Sequence, residues 1–200
     1  MTDWDQRFNE SEFIYGTEVN EFIKNHYDYI EEGGHIGCFA EGEGRNAVFL
    51  AEEGHPVTAY DNSEVGMEKM KRLADEREVY VEGLHKDLTK DRVGENVYDG
   101  AVMVFGHVPK EDQPFLMANV RGSVKTGGAI LIEVYSEEQI NYKTGGPPTR
   151  EAMYRPEDML EWFRDDKILH FYYGEANRVE GARHTGLGHV IQLIAVKESV

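Results

Sequence analysis

The chain has 200 residues, 40% hydrophobic and 30% charged, enough for one well-cored domain and too few for two comfortable ones. Its formal charge of −17 sets up a field that repels a phosphate backbone or an anionic membrane, which argues against nucleic-acid and membrane partners. A single cysteine, Cys38, excludes an internal disulfide. With no basic-plus-apolar leader the chain reads as cytoplasmic, and its apolar runs fall far short of the roughly twenty residues of a membrane helix.

In chain order, residues 3–17 mix aromatics with charge and predict a short helix and a loop. From Glu18 to Ile30 the apolar positions Val19, Phe22, Ile23, Tyr29 and Ile30 recur at helical spacing, and Gly33-Gly34 ends the segment. Residues 1–34 thus read as an N-terminal helical cap on a single domain, 1–200. A short apolar run at Ile36, Cys38 and Phe39 predicts strand one, and helical spacing over 45–53 follows a glycine turn. Strand two, Val57 to Tyr60, ends on Asp61. Asn62-Ser63 then offers a cap for a helix over 64–77, with Met67, Met70, Leu73 and Ala74 on one side. Strand three is expected at Glu78 to Val81, strand four at Val97 to Phe105, a helix at Glu111 to Val124 and strand five at Ala129 to Tyr135. Such alternation marks a doubly wound parallel sheet.

After strand five the pattern changes. Residues 136–154 form a glycine- and proline-containing loop too long for a plain connection, which reads as an active-site lid. Pro156 starts a helix that runs to Arg164. Two strand-like runs, Lys167 to Tyr173 and Val190 to Lys197, have no crossover helix between them and should pair antiparallel. If strand six is parallel to the first five, the polar loop Arg178 to His189 lies at the carboxyl ends of the strands, beside any ligand.

The stretch His35 to Asp61 carries the chemistry. Gly42 and Gly44 let the backbone approach a ligand where a Cβ would clash, and Asp61, about twenty residues on, can accept hydrogen bonds from a ribose diol. The spacing Gly42, Gly44, Ala47 also fits a dinucleotide fingerprint. An NAD(P)-dependent Rossmann oxidoreductase is therefore one alternative. Each residue has a bland counterpart too: a tight strand-to-helix turn for the glycines, a loop acid for Asp61 and Asp87, and a structural histidine for His107.

The terminal hairpin and the acids after several strands, Asp61 and Asp87, tilt the reading. With AEGEGRNAVFLA (40–51), YDNS (60–63), KDL (86–88), GHVP (106–109), QINYKTGGP (139–147) and EGARHTG (180–186), the chain resembles a class I S-adenosylmethionine-dependent methyltransferase. More narrowly it is similar to the small TehB-like, tellurite-resistance and thiol methyltransferase group. The resemblance implies an α/β, Rossmann-like fold: a seven-stranded, mostly parallel sheet with a C-terminal antiparallel hairpin and helices on both faces. It implies S-adenosyl-L-methionine as cofactor and S-adenosyl-L-homocysteine as product. Gly42 and Gly44 would line its methionine part, Asp61 its ribose and Asn62 its adenine, while Asp87 and Leu88 would hold the adenine edge and face; Asn46 is a further expected cofactor-binding residue. Arg7 and Tyr15, with Trp4, would lie over the pocket. The family's strand-one acid falls here on Cys38 and its first glycine on Ala40, so Glu41 or Glu43 is expected to take over part of the contact to the cofactor ammonium.

The methyl acceptor is expected to be a small molecule, a thiol or a chalcogen nucleophile that needs no elaborate base. His184 or His107 would at most remove a proton and Arg183 steer an anion; an O- or N-acceptor would ask more of a histidine. Gln139, Tyr142, Gly145 and Gly146 mark the substrate and lid side. The Asn/Asp-Pro-Pro-aromatic run of amine methyltransferases is replaced by FGHV after strand four. Cys38 lies inside a strand, so no Cys-based metal site is expected. A monomer or homodimer is anticipated, and a non-catalytic S-adenosylmethionine-binding domain is the other alternative.

Overall fold

A computed structural model describes residues 3–181 and 184–199, with the backbone alone at His184. Its elements are α1 (Asp3–Phe8), α2 (Glu21–His26), β1 (Ile36–Phe39), α3 (Arg45–Glu52), β2 (Val57–Asp61), α4 (Glu64–Glu76), β3 (Glu82–His85), β4 (Tyr98–Val104), α5 (Gln113–Ser123), β5 (Val124–Tyr135), α6 (Pro156–Trp162), β6 (Lys167–Glu180) and β7 (His184–Val196). The strands form one sheet in the order β3-β2-β1-β4-β5-β7-β6. Strands β1 to β5 pair in parallel, whereas β7 pairs antiparallel with both β5 and β6. The expected mixed sheet with its C-terminal hairpin is thus observed, and β6 runs parallel to the first five strands.

Alternation along β4 explains the helices on both faces. Ala101 and Met103 point into a core built with Leu116, Met117 and Val120 of α5 and Met159 of α6. Val102 and Val104 point the other way, into a core shared with Phe22 and Ile23 of α2, Ala47 and Leu50 of α3 and Met70 of α4. The order of the strands reverses at β1 and β4, which opens a crevice at their carboxyl ends.

Three expectations shift. Strand three lies at Glu82–His85 rather than Glu78 to Val81: it is an exposed edge strand without an apolar signature, while Val79 and Val81 pack under α3 and α4 beside Val48 and Leu73. The first long helix shortens to α2, capped by the Asn20 side chain, followed by a 3₁₀ turn at Tyr27–Tyr29. The supposed polar loop from Arg178 to His189 is mostly strand, because β6 and β7 continue pairing out to Glu180 and His184. Its glycines and charges hid a ribbon that extends past β5, where half of its surface faces water.

Candidate active site

A cavity of about 610 Å³ sits at the crevice. Its floor is the β1–α3 turn: Ala40, Glu41, Gly42, Glu43, Arg45 and Asn46. One side carries Asp61, Asn62, Lys86, Asp87 and Leu88, and the other Phe105, His107, Tyr135 and Gly145 to Pro148, with α1 and Tyr15 across the top.

The turn is tied together by its own carboxylates. Asp61 Oδ2 accepts the Gly42 N–H at 2.8 Å and Oδ1 accepts the Ser63 N–H at 2.8 Å, so the end of β2 holds the glycine loop in place. Each oxygen keeps a second lone pair for a ligand hydroxyl. Burial raises the Asp61 pKa, opposed by the N–H groups of Ser63 and Gly42. Glu41 Oε1 accepts from the Asn46 and Ala47 N–H groups at 2.9 and 2.7 Å, capping α3, whose N-cap residue Gly44 has no side chain to do so. Glu43 is spent elsewhere: it pairs with Lys69 at 2.7 Å and accepts from the Ile14 and Tyr15 N–H groups, pinning the N-terminal segment over the cavity. Asn46 Oδ1 likewise accepts the Asn20 N–H.

The glycines serve a different purpose from the one their spacing suggests. Gly44 has φ 93°, and a Cβ there would meet Met70 Cγ at 2.2 Å and its Cα at 2.9 Å. What requires glycine is the packing of α4 against the turn, together with the left-handed backbone. Gly42, at φ 62°, backs onto the Phe8 ring. Ala40 and Phe105, which directly follow β1 and β4, also sit at positive φ, 52° and 54°, an uncommon conformation for side chains of their kind.

At the other predicted positions, burial alone would raise Asp87, but donation from Lys90 and Thr89 outweighs it and holds the carboxyl below its ordinary range. Leu88 is buried at the cavity edge. Arg7 lies over the Trp4 ring at 4.7 Å and reaches the Tyr15 hydroxyl at 3.5 Å. Both ring nitrogens of His107 are in use: Nδ1 meets the Ala152 carbonyl at 2.6 Å, and Nε2 accepts the Tyr135 N–H at 3.3 Å. Burial pushes its pKa down to about 4, so the ring is neutral at ordinary pH and fastens the loop to β5. Gly145 and Gly146 line the cavity. Gln139 and Tyr142 instead face the hairpin: Gln139 Oε1 accepts the His189 N–H at 2.7 Å and Tyr142 donates to Glu175 at 2.8 Å. Arg183 and the His184 side chain lie outside the described residues. Among the described residues no cluster of three metal-ligating side chains occurs, and no helix is long and apolar enough to cross a membrane.

Neither motif nor spacing singles out the buried network behind this site. Asn20 Nδ2 donates to both Glu133 and Glu180, at 2.9 and 2.8 Å. Arg45 pairs with Glu180 at 2.7 Å and Arg178 with Glu133 at 3.4 Å, while Gln192 donates to Glu133. Arg178 also lies against the faces of Phe105 and Tyr135, at 4.7 and 4.5 Å, and these two rings stack at 4.5 Å. A sequence signal existed: charged residues at apolar strand positions, Glu133 inside ILIEVY above all.

Residues 36–128 match the family model of a methyltransferase domain. Among curated proteins, no sequence matches the chain. Solved structures share the fold. TehB from Haemophilus influenzae superposes with a TM-score of 0.76 at 16% identity, covering 98% of this chain and 66% of that one. A SAM-dependent methyltransferase from Anabaena variabilis gives 0.73 at 16% identity, covering 98% and 92%. One from Methanosarcina mazei gives 0.69 at 16%, covering 92% and 100%. The chain thus spans about two thirds of the TehB chain. The chain thus shares the fold of these methyltransferases, and the stretch from β1 to the start of β5, which includes the glycine turn, matches the methyltransferase-domain model.

Proposed function

We propose that the chain is an enzyme that transfers a methyl group from S-adenosyl-L-methionine to a small, soft nucleophile, a thiol or a chalcogen anion. The observation that carries the cofactor half is the cavity at the carboxyl ends of β1 and β4, with Asp61 and Asp87 on one wall. Its volume, about 610 Å³, leaves room for a nucleoside with an amino-acid tail and a small second molecule. The residues fit: Asp61 keeps lone pairs for a diol, and Leu88 and Asn62 flank the space beside it.

When bound, the cofactor supplies an electrophilic methyl on a sulfonium and its own leaving group. The chain's residues have the remaining work, which is to orient and to exclude water. Phe105, Val108, Tyr135, Pro147 and Pro148 give the acceptor side a dry wall. Gly145 and Gly146 bring the lid backbone down onto it, held from behind by Gln139. His107 is neutral and engaged at both nitrogens, so among the described side chains on that wall no base is poised to deprotonate an alcohol or ammonium. That favours an acceptor which already is a nucleophile near neutral pH.

Calorimetry with S-adenosylmethionine and S-adenosylhomocysteine tests the first half; affinities on the order of micromolar are expected. Turnover against thiols, hydrogen selenide, tellurite, phenols and amines tests the second. Methylation of phenols or amines alone would overturn the soft-nucleophile reading, and cofactor binding without turnover on any acceptor would leave a binding domain in place of an enzyme.

A further inference from the structure

The sheet ends unequally at its two edges. β3 is 4 residues long, whereas β6 runs for 14, from Lys167 to Glu180, with β7 on one side of it and no strand on the other. Which of its backbone groups face that open side follows from the pairing of β7. His189 donates its N–H to Gln139 Oε1 and accepts the Ser136 N–H, and just past β7 Lys197 accepts from Gly127 and donates to Gly128, so odd-numbered residues there face β5 and even-numbered ones face β6. In the register of the hairpin Phe171, Tyr173, Glu175, Asn177 and Val179 stand opposite Leu193, Ile191, His189, Leu187 and Thr185. Their N–H and C=O groups therefore point outward. Among the described residues these N–H groups meet no acceptor, and of the carbonyls only that of Glu175 has a donor, the Tyr172 hydroxyl at 2.6 Å.

Long edge strands are normally blunted by proline, by lysines or by a bulge, because an open row of backbone groups is a template for another strand. In β6 the irregularity at Leu169 and the one lysine, Lys167, both sit at the strand's start, and the strand has no proline. The ribbon also carries exposed apolar groups: Leu169, Tyr172, Tyr173 and Val179, with Leu187 on β7, are half of the exposed large hydrophobic side chains among the described residues.

Charge decides what can cover this edge. The chain carries −17, yet β6 balances Lys167 and Arg178 against Glu175 and Glu180, and β7 holds no Asp, Glu, Lys or Arg. Two such chains repel at long range unless they meet through a neutral surface, and the ribbon is one. An antiparallel row of N–H and C=O groups is moreover its own complement under a two-fold axis. An axis through Gly174 sets Tyr173 of one copy opposite Glu175 of the other and leaves no like charges face to face.

We propose that β6 pairs antiparallel with β6 of a second copy of this chain, joining two seven-stranded sheets into one across a two-fold homodimer. Such a dimer does not depend on what the cavity binds. It does bear on the site, because Glu175 holds Tyr142 and His189 holds Gln139, so pairing at the outer edge steadies the ribbon that anchors the 136–154 loop.

Sedimentation velocity and hydrogen exchange on the full chain test the pairing. We expect a monomer–dimer equilibrium with a dissociation constant on the order of micromolar. It should tighten as salt screens the like charges of the two copies, and exchange across 171–179 should slow as the dimer forms. Tyr173→Ala removes a ring but keeps the N–H, and should weaken association about fivefold. Tyr173→Pro removes the N–H as well, costs the single chain no ladder bond, and should weaken association about 100-fold. Melting curves report whether both variants keep the fold; if Tyr173→Pro does not, the exchange of wild type decides alone. Equal association of folded Tyr173→Pro and wild type would overturn the proposal, as would a dimer whose formation leaves exchange across 171–179 unchanged. So would a wild-type chain that is still monomeric at about 100 μM.

Discussion

The rim of the cavity formed by β1, β2 and α3 holds acids in place with backbone N–H groups, whereas the rim formed by β4, β5 and the 136–154 loop is a stack of rings with a cation behind it. The first is a rigid polar mould: Asp61, Glu41 and Glu43 together take seven hydrogen bonds from main-chain or Lys69 donors. The second keeps Arg178 covered by Phe105 and Tyr135 and neutralised by Glu133, so it presents an apolar face to the space beside the glycine turn. A polar mould suits a charged, hydroxyl-rich cofactor, and a dry aromatic face suits the place where a bond is exchanged.

The largest effect that would break this contrast is expected from Arg45→Ala. Arg45 belongs to the polar rim by sequence, but its partner Glu180 ends β6 in the far rim, and both are more than nine-tenths buried. Removing the guanidinium leaves Glu180 with an uncompensated charge, at a cost of about 3–5 kcal/mol. Urea unfolding should show it, with partial recovery in Arg45→Met/Glu180→Leu, where no charge is stranded. If Arg45→Ala unfolds within 1 kcal/mol of wild type, the two rims are not coupled through this pair.

Asp61→Ala comes next. It removes the acceptor for the Gly42 and Ser63 N–H groups as well as a wall of the cavity. We expect cofactor affinity to fall about 100-fold, or ~2.7 kcal/mol, with Asp61→Asn intermediate because one N–H keeps its partner. An unchanged affinity would place the ligand away from β2.

The same contrast explains what could be read in the sequence. Gly42, Gly44 and Asp61 lie within twenty positions of one another, so a local strand-turn-helix pattern suffices to place the polar rim, along with β1, α3, β2 and α4. The far rim is assembled from Phe105, Glu133, Tyr135 and Arg178, which meet only when β4, β5, β7 and β6 are laid side by side. No periodicity announces that. Even within the polar rim, spacing could not say that Gly44 yields to Met70 rather than to a ligand, or that Glu43 is already paired with Lys69. The hairpin was obscured because its outer half alternates polar residues and glycine where half its surface is wet.

A smaller effect sharpens the role of the loop. Gln139 bridges the loop to β7, through the His189 N–H on one side and Thr144 and the Gly145 carbonyl on the other. Gln139→Ala strands one buried donor, worth about 1–2 kcal/mol. Because the loop packs at the carboxyl end of β5, outside the strand ladder itself, the loss should be local. Hydrogen exchange across 136–154 should quicken while the global melting temperature barely moves; uniform acceleration would mean the loop is part of the core.

The smallest effect separates the rims by the sign of their response to pH. Burial raises Glu41 to about 7, so the fold favours its protonated form: that contribution is whole at low pH and is lost as pH rises through 7. Burial lowers His107 to about 4, so the fold favours its neutral ring: that contribution is present above the ordinary histidine pKa and is lost as pH falls from about 6.5 towards 4. In His107→Gln the amide can still donate to the Ala152 carbonyl but carries no proton to release. Between pH 7 and 5.5 wild type should lose about 1 kcal/mol more stability than this variant, one pKa unit being worth 1.36 kcal/mol. Glu41→Gln should show the opposite, gaining on wild type between pH 6 and 8. Parallel pH profiles for wild type and His107→Gln would mean that the ring is reached by water, and the far rim would then not be the dry wall that the stack of Phe105, Tyr135 and His107 makes it.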